Sequence, residues 1–174
     1  MRRRSLSRFV YLPQAIFLAL IALVTHSTML SAASHQNAKK IVSVSKELKK
    51  KLRIANSLEI KIVESNPMGL SVQPIPQHHG DFLLLVDINL LSRLDKEELR
   101  AALAHELGHV WIYTHHPYLQ TEALANQIAM RAVTRSSLKN LYGELAAFQG
   151  TASNVEALLG AEQTDAVKTA SEKQ

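Results

Sequence analysis

The pentapeptide His105-Glu106-Leu107-Gly108-His109 sets two imidazoles four residues apart with a carboxylate between them. On a helix, residues i and i+4 project from one side a turn apart, so both rings can converge on one metal ion. The glutamate then stands beside the metal, where it can take a proton from an attacking water. This is the donor pattern of a zinc hydrolase, most often one that cuts peptide bonds. A catalytic zinc usually takes three ligands from the protein and keeps a fourth position open. The third ligand is therefore expected downstream. Glu122, thirteen residues after His109, is the leading candidate, with His115 or His116 as the alternative. Asn126 follows Glu122 by one helical turn, where its amide can hydrogen-bond a ligand imidazole and hold its orientation.

These residues need two helices to position them. Asp95 can cap a helix whose third residue is Glu98, with Leu94 and Leu99 as the apolar pair on either side of the cap. Leu99, Leu103, Leu107 and Val110 follow at helical spacing and predict one buried stripe, with His105 and His109 on another side, above a cleft that the helix floors. Gly108 costs such a helix about 1 kcal/mol relative to alanine, which points to a close backbone neighbour, either a core strand or the wall of the cleft. Pro117 pushes His116 out of helical conformation and ends the helix. A second helix carrying Glu122 can then return antiparallel across the first.

The motif followed by Glu122-Ala123-Leu124-Ala125-Asn126 resembles the gluzincin metallopeptidases, whose pattern is HExxH and then ExxAD. The approach to it, Phe82-Leu83-Leu84-Leu85-Val86-Asp87, then Leu90-Leu91-Ser92-Arg93-Leu94, then Asp95 to Ala104, is similar to the strand, short loop and helix of HtpX-like peptidases. The short interval between His109 and Glu122 and the Ala-Asn after the glutamate are closer to ImmA-like or minimal gluzincins. The resemblance covers roughly Leu58 to Val133. It implies a compact α+β zincin-like domain: a small mixed sheet whose edge strand lies beside the HExxH helix, and a glutamate helix after it. It implies zinc held by His105, His109 and Glu122, with Glu106 as the base. Where the family has aspartate, this chain has Asn126, which removes a negative charge from beside a ligand histidine and makes that ring slightly less basic.

Upstream, 43–57 reads as an amphipathic surface helix rich in lysine, and Leu58 to Val63 alternates as a half-buried strand. Asn66-Pro67-Met68-Gly69 is a turn. Leu70 to Ile75 suits an edge strand, because Pro74 and Pro76 forbid a central one; a loop covering the core is the other reading. In the gluzincins that the chain resembles, such a strand pairs with extended substrate, which makes Leu70, Ser71, Val72 and Gln73 the candidate substrate-binding residues. Phe82 to Val86 is apolar throughout and reads as an interior strand. Leu138, Leu141, Leu145 and Phe148 mark a late helix after a break at Ser136-Ser137. Tyr113, Arg131 and Tyr142 are candidate donors to a transition-state oxyanion. His78-His79 and His115-His116 read as exposed turn residues.

Arg2, Arg3, Arg4 and Arg8 precede an apolar run from Ala15 to Val24, and Ser31-Ala32-Ala33 offers a cleavage site. Residues 1–33 therefore read as a signal peptide, with an uncleaved membrane anchor as the lesser reading. The chain has 20 Lys+Arg against 15 Asp+Glu, and removing those four arginines leaves the charge nearly balanced, which withdraws the support for nucleic-acid binding. There is no cysteine for a disulfide or a lipid anchor. The expected organisation is a metallopeptidase domain over 39–149 and a flexible tail over 150–174. The expected function is periplasmic or extracytoplasmic zinc-dependent hydrolysis of polypeptides. The alternative is a zinc-binding adaptor or chaperone-like module without turnover, which would have no need of Glu106.

Overall fold

A computed structural model describes residues 36–152 and 154–160; the expected signal peptide and residues 161–174 lie outside the described residues. All contacts given below lie within the compact unit that begins at Lys40. Helix α1 (36–52) turns Ile41, Leu48 and Leu52 into the core and leaves Lys46, Lys50 and Lys51 outside. It starts and ends earlier than the expected 43–57. Arg53 takes a left-handed conformation (φ 56°) and the Ile54 amide closes back on the Lys49 carbonyl at 2.9 Å, so the helix stops there. Arg100 holds both carboxylate oxygens of Glu47, at 2.9 and 2.8 Å, and so ties α1 to the metal-motif helix.

Three strands follow: β1 (Leu58–Val63), β2 (Leu70–Pro74) and β3 (Phe82–Asp87), in the order β1-β3-β2. β3 is central, parallel to β1 and antiparallel to β2. The turn from β1 into β2 needs Gly69, whose φ is +76° and whose missing Cβ would lie 2.4 Å from a Leu90 methyl.

Asp87 ends β3 and begins α2 (Ile88–Arg93), accepting from the Asn89 and Leu90 amides at 2.7 and 3.1 Å. Its other oxygen accepts from the Asn66 amide at 2.7 Å, which pins the β1–β2 turn to the same point. The expected loop over Leu90–Leu94 is thus a short helix that buries Leu90 and Leu91. Burial would raise the Asp87 carboxyl's pKa, but the amides of Asn66, Leu90 and Asn89 outweigh it and hold it below its ordinary value near 3.8. Its contribution to stability is complete above that value and is lost as pH falls through the lower folded-state value. Asp87→Ala removes a cap worth about 1 kcal/mol and leaves a buried amide unpaired at a cost of about 1–3 kcal/mol. A urea melt should show a loss of about 2–4 kcal/mol, and a loss below about 1 kcal/mol would mean that water replaces the carboxylate.

Four further helices follow among the described residues: α3 (Lys96–His115), α4 (Glu122–Ala129), α5 (Arg135–Gln149) and α6 (Val155–Leu159), with a 3-10 turn (Pro117–Leu119) before α4. The fold class is α+β with a small mixed sheet. α5 begins at a Thr134 cap and runs unbroken through Ser136-Ser137, so the expected break there lies instead just before Arg135. α6 packs on α4 and α5 with Leu159 buried, so the packed region extends past the expected boundary at residue 149.

Candidate active site

α3 begins as its sequence dictates. The Asp95 carboxylate accepts from the Glu98 amide at 2.8 Å, and the Glu98 carboxylate accepts from the Asp95 amide at 2.9 Å. The helix ends at His116, whose amide bonds the Ile112 carbonyl just before Pro117. Between these ends its burial differs from the single-stripe expectation: Ala101 to Gly108 are all buried, because β2, α4 and α5 pack around the helix. The small side chains of Ala101, Ala102, Ala104 and Gly108 allow that close approach.

α4 runs antiparallel to α3, since His109 meets Glu122 while His105, one turn earlier, meets Asn126. The neighbour that Gly108 requires is the α4 backbone: a Cβ at this position would lie 2.4 Å from the Ala125 carbonyl oxygen. Neither a core strand nor the cleft wall is the neighbour there.

This approach gathers three donor side chains. His105 Nε2 and His109 Nε2 are 3.2 Å apart, and the Glu122 carboxylate oxygens lie 3.1 Å from His105 Nε2 and 3.5 Å from His109 Nε2. Tetrahedral zinc with bonds of about 2.0–2.1 Å has ligand-to-ligand edges of about 3.3 Å, so the two rings and the carboxylate, which meets each ring through a different oxygen, are spaced closely enough to share one ion. The other ring nitrogens are committed elsewhere. His105 Nδ1 donates to Asn126 Oδ1 at 2.8 Å, and His109 Nδ1 donates to Gln120 Oε1 at 3.1 Å, which leaves both Nε2 lone pairs free for a metal. The His105 and His109 rings beside it hold the Glu122 carboxyl well below the usual carboxylate range, so it is anionic.

Gln120 is a contributor that sequence reasoning missed. Its Nε2 also donates to the His109 carbonyl at 3.3 Å, so the amide grips ring and backbone together. It lies in the loop before the Thr121 cap, where no periodicity marks a residue, and an amide beside a helix start was the one available signal.

Glu106 lines the same cleft and is 8% exposed. Burial pushes its carboxyl up from the ordinary value, against the opposing charges of His105 and His109. The cleft, about 650 Å³, is walled on one side by Leu70, Ser71, Val72, Gln73 and Pro74 of β2. Among the described residues β2 pairs with β3 alone, so it is a sheet-edge strand there and not a covering loop.

The other candidates separate by position. Tyr142 enters the cleft with its hydroxyl 2.8 Å from Asn126 Nδ2, and burial pushes its phenol up to about 12, so it stays protonated. Tyr113 lines the cleft and packs edge-on to Phe82. Arg131 instead lies over the Trp111 ring at 5.1 Å, away from the cleft. His115 stacks on the other side chain of that cluster, Trp111, at 4.1 Å, and His116 caps α3, so neither joins the ligand group. His78 and His79 are exposed in the β2–β3 turn, where His78 faces Asp81.

The family model described as peptidase family M48 matches residues 81–171, just over half of the chain. The match contains His105, Glu106, His109, Glu122 and Asn126, whereas Leu70–Gln73 precede it. No curated protein matches the chain. The crystal structure of the metallopeptidase zymogen of Pyrococcus abyssi abylysin is similar at 14% identity and a TM-score of 0.47, over 64% of this chain and 96% of that one.

Proposed function

Because the chain belongs to peptidase family M48 and is a metallopeptidase, we propose that it is an exported zinc endopeptidase that hydrolyses polypeptides of the cell envelope. One observation carries the zinc reading: two imidazole Nε2 atoms and the Glu122 carboxylate stand within 3.1–3.5 Å of one another, close to the edge lengths of a tetrahedral zinc site, with a buried glutamate beside them. His105, His109 and Glu122 would hold the ion. When bound, zinc supplies Lewis-acid polarisation of the scissile carbonyl and lowers the pKa of water. Glu106 accepts the proton of the attacking water and returns it to the leaving amine, a task suited to a carboxyl whose burial raises its proton affinity. Gln120 and Asn126 keep both imidazoles in the tautomer that presents Nε2. The free edge of β2 binds substrate as an added strand through main-chain hydrogen bonds.

Protein purified from metal-replete cells is expected to hold about one zinc per chain by elemental analysis. His109→Ala should abolish binding and Glu122→Ala should weaken it strongly. Zinc below about 0.2 per chain in the wild type would refute the assignment. Unfolded casein should be cleaved, and a chelator should stop the cleavage. Zinc retention without any cleavage would favour the adaptor alternative.

Export rests on the Arg-rich, apolar sequence of residues 1–33. No helix among the described residues is long and apolar enough to cross a membrane. N-terminal sequencing of envelope-derived protein should begin near Ser34; an intact Met1 on membrane-bound protein would establish an anchor instead.

A further inference from the structure

Asn126 presents a problem of orientation. A side-chain amide has one accepting oxygen and one donating nitrogen, nearly identical in shape, so packing alone does not decide which faces His105. The choice matters for the metal. With Oδ1 towards His105, Nδ1 carries the proton and Nε2 is free to ligate. With the amide reversed, its NH2 would face Nδ1, the ring proton would move to Nε2, and the ligand atom would be blocked. Tyr142 cannot settle the choice, because its hydroxyl lies 2.8 Å from Asn126 Nδ2 and 3.0 Å from Oδ1 and can serve either way round. The Leu158 carbonyl can only accept, and it lies 3.0 Å from Asn126 Nδ2. Asn126 is fully buried, so no water substitutes for it.

Leu158 belongs to α6, five residues long and too short to hold itself together. Arg135, at the start of α5, grips its end. Nη1 donates to the Leu159 carbonyl at 2.6 Å, and Nη2 reaches the Gly160 carbonyl and, at 3.2 Å, the Glu156 carboxylate. These carbonyls belong to the last turn, which has no partners of its own, and a planar guanidinium can hold several acceptors at once where a lysine ammonium cannot present the same fork.

We propose that Arg135 is a positioning residue for the metal site: by clamping α6 it holds the Leu158 carbonyl against Asn126 and so sets the orientation of the amide that fixes His105 as an Nε2 ligand. This rests on the zinc peptidase reading. An aspartate at position 126 would offer an oxygen to His105 in either orientation, so the dependence on α6 comes from having asparagine there.

The test is a double-mutant cycle in the full chain, with zinc affinity measured by chelator competition and peptidase turnover recorded in parallel. Arg135→Ala should weaken zinc about 10–100-fold, the scale of lost support to a ligand histidine. In the Asn126→Asp background, the same change should have little effect. Nitrogen NMR of zinc-free protein should show His105 shifting from the Nδ1–H tautomer towards Nε2–H in Arg135→Ala and not in the double variant. Arg135→Lys, which keeps the charge without the fork, should fall between wild type and Arg135→Ala and serves if the alanine variant does not fold. Unchanged zinc affinity in Arg135→Ala, or an equal loss in both backgrounds, would overturn the proposal while leaving the peptidase reading intact. Wild-type protein that binds no zinc would overturn both.

Discussion

Glu106→Gln should keep its zinc and its melting temperature while losing peptidase turnover by about 10²–10⁴-fold, the range for removal of a general base. The substitution is nearly isosteric, and the site gains a neutral amide where burial already disfavoured the charge. Folding and metal binding therefore have little reason to change. The loss should appear in kcat, because the proton is transferred in the transition state and not on substrate binding. Turnover equal to wild type would remove Glu106 from the mechanism and leave a contaminating protease as the source of any cleavage.

Gly108→Ala should damage both metal binding and stability, although alanine is the better helix former by about 1 kcal/mol. The added methyl would lie 2.4 Å from the Ala125 oxygen and 3.0 Å from its carbonyl carbon and Cα. All three are backbone atoms, so no side chain can swing aside and α4 itself must move. Overpacking of this kind costs about 1–3 kcal/mol, which outweighs the gain in propensity. Because α4 carries Glu122 and Asn126, its displacement pulls one proposed ligand and the amide that bonds His105 out of register with α3. Zinc affinity should fall by at least about tenfold, in keeping with lost support to ligands, and the melting temperature should fall with it. A variant with wild-type zinc affinity would show that the two helices have slack at this point.

Much of this architecture was legible because local chemistry and tertiary structure agree. The Asp95 cap, the Pro117 stop and the alternation of Leu58–Val63 each act within a few residues, and each is found in place. His105, His109, Glu122 and Asn126 were readable from spacing because two helices impose a fixed period. Other features depend on partners distant in sequence. α2 is one and a half turns long, too short for periodicity, and its cap is also the last residue of a strand. α6 has no core of its own and is held by packing on α4 and α5 and by the Arg135 and Asn126 contacts. Gln120 lies in a loop. The sequence likewise showed Gly108 to need a close neighbour but gave no means of choosing α4 over a strand.

The free edge of β2 bears on which proteins this peptidase can attack at all. It is five residues long, about 17 Å of extended chain, and it can be completed only by a segment whose own amides and carbonyls are unpaired. A segment locked in a helix or an interior strand has none to offer, so under the proposed pairing of substrate with β2 folded proteins would be excluded by their own hydrogen bonds. Selection would then fall on conformation ahead of sequence: the rate at which a given protein is cut would follow how often a stretch of its backbone opens, and the cleft would report on the stability of its substrates.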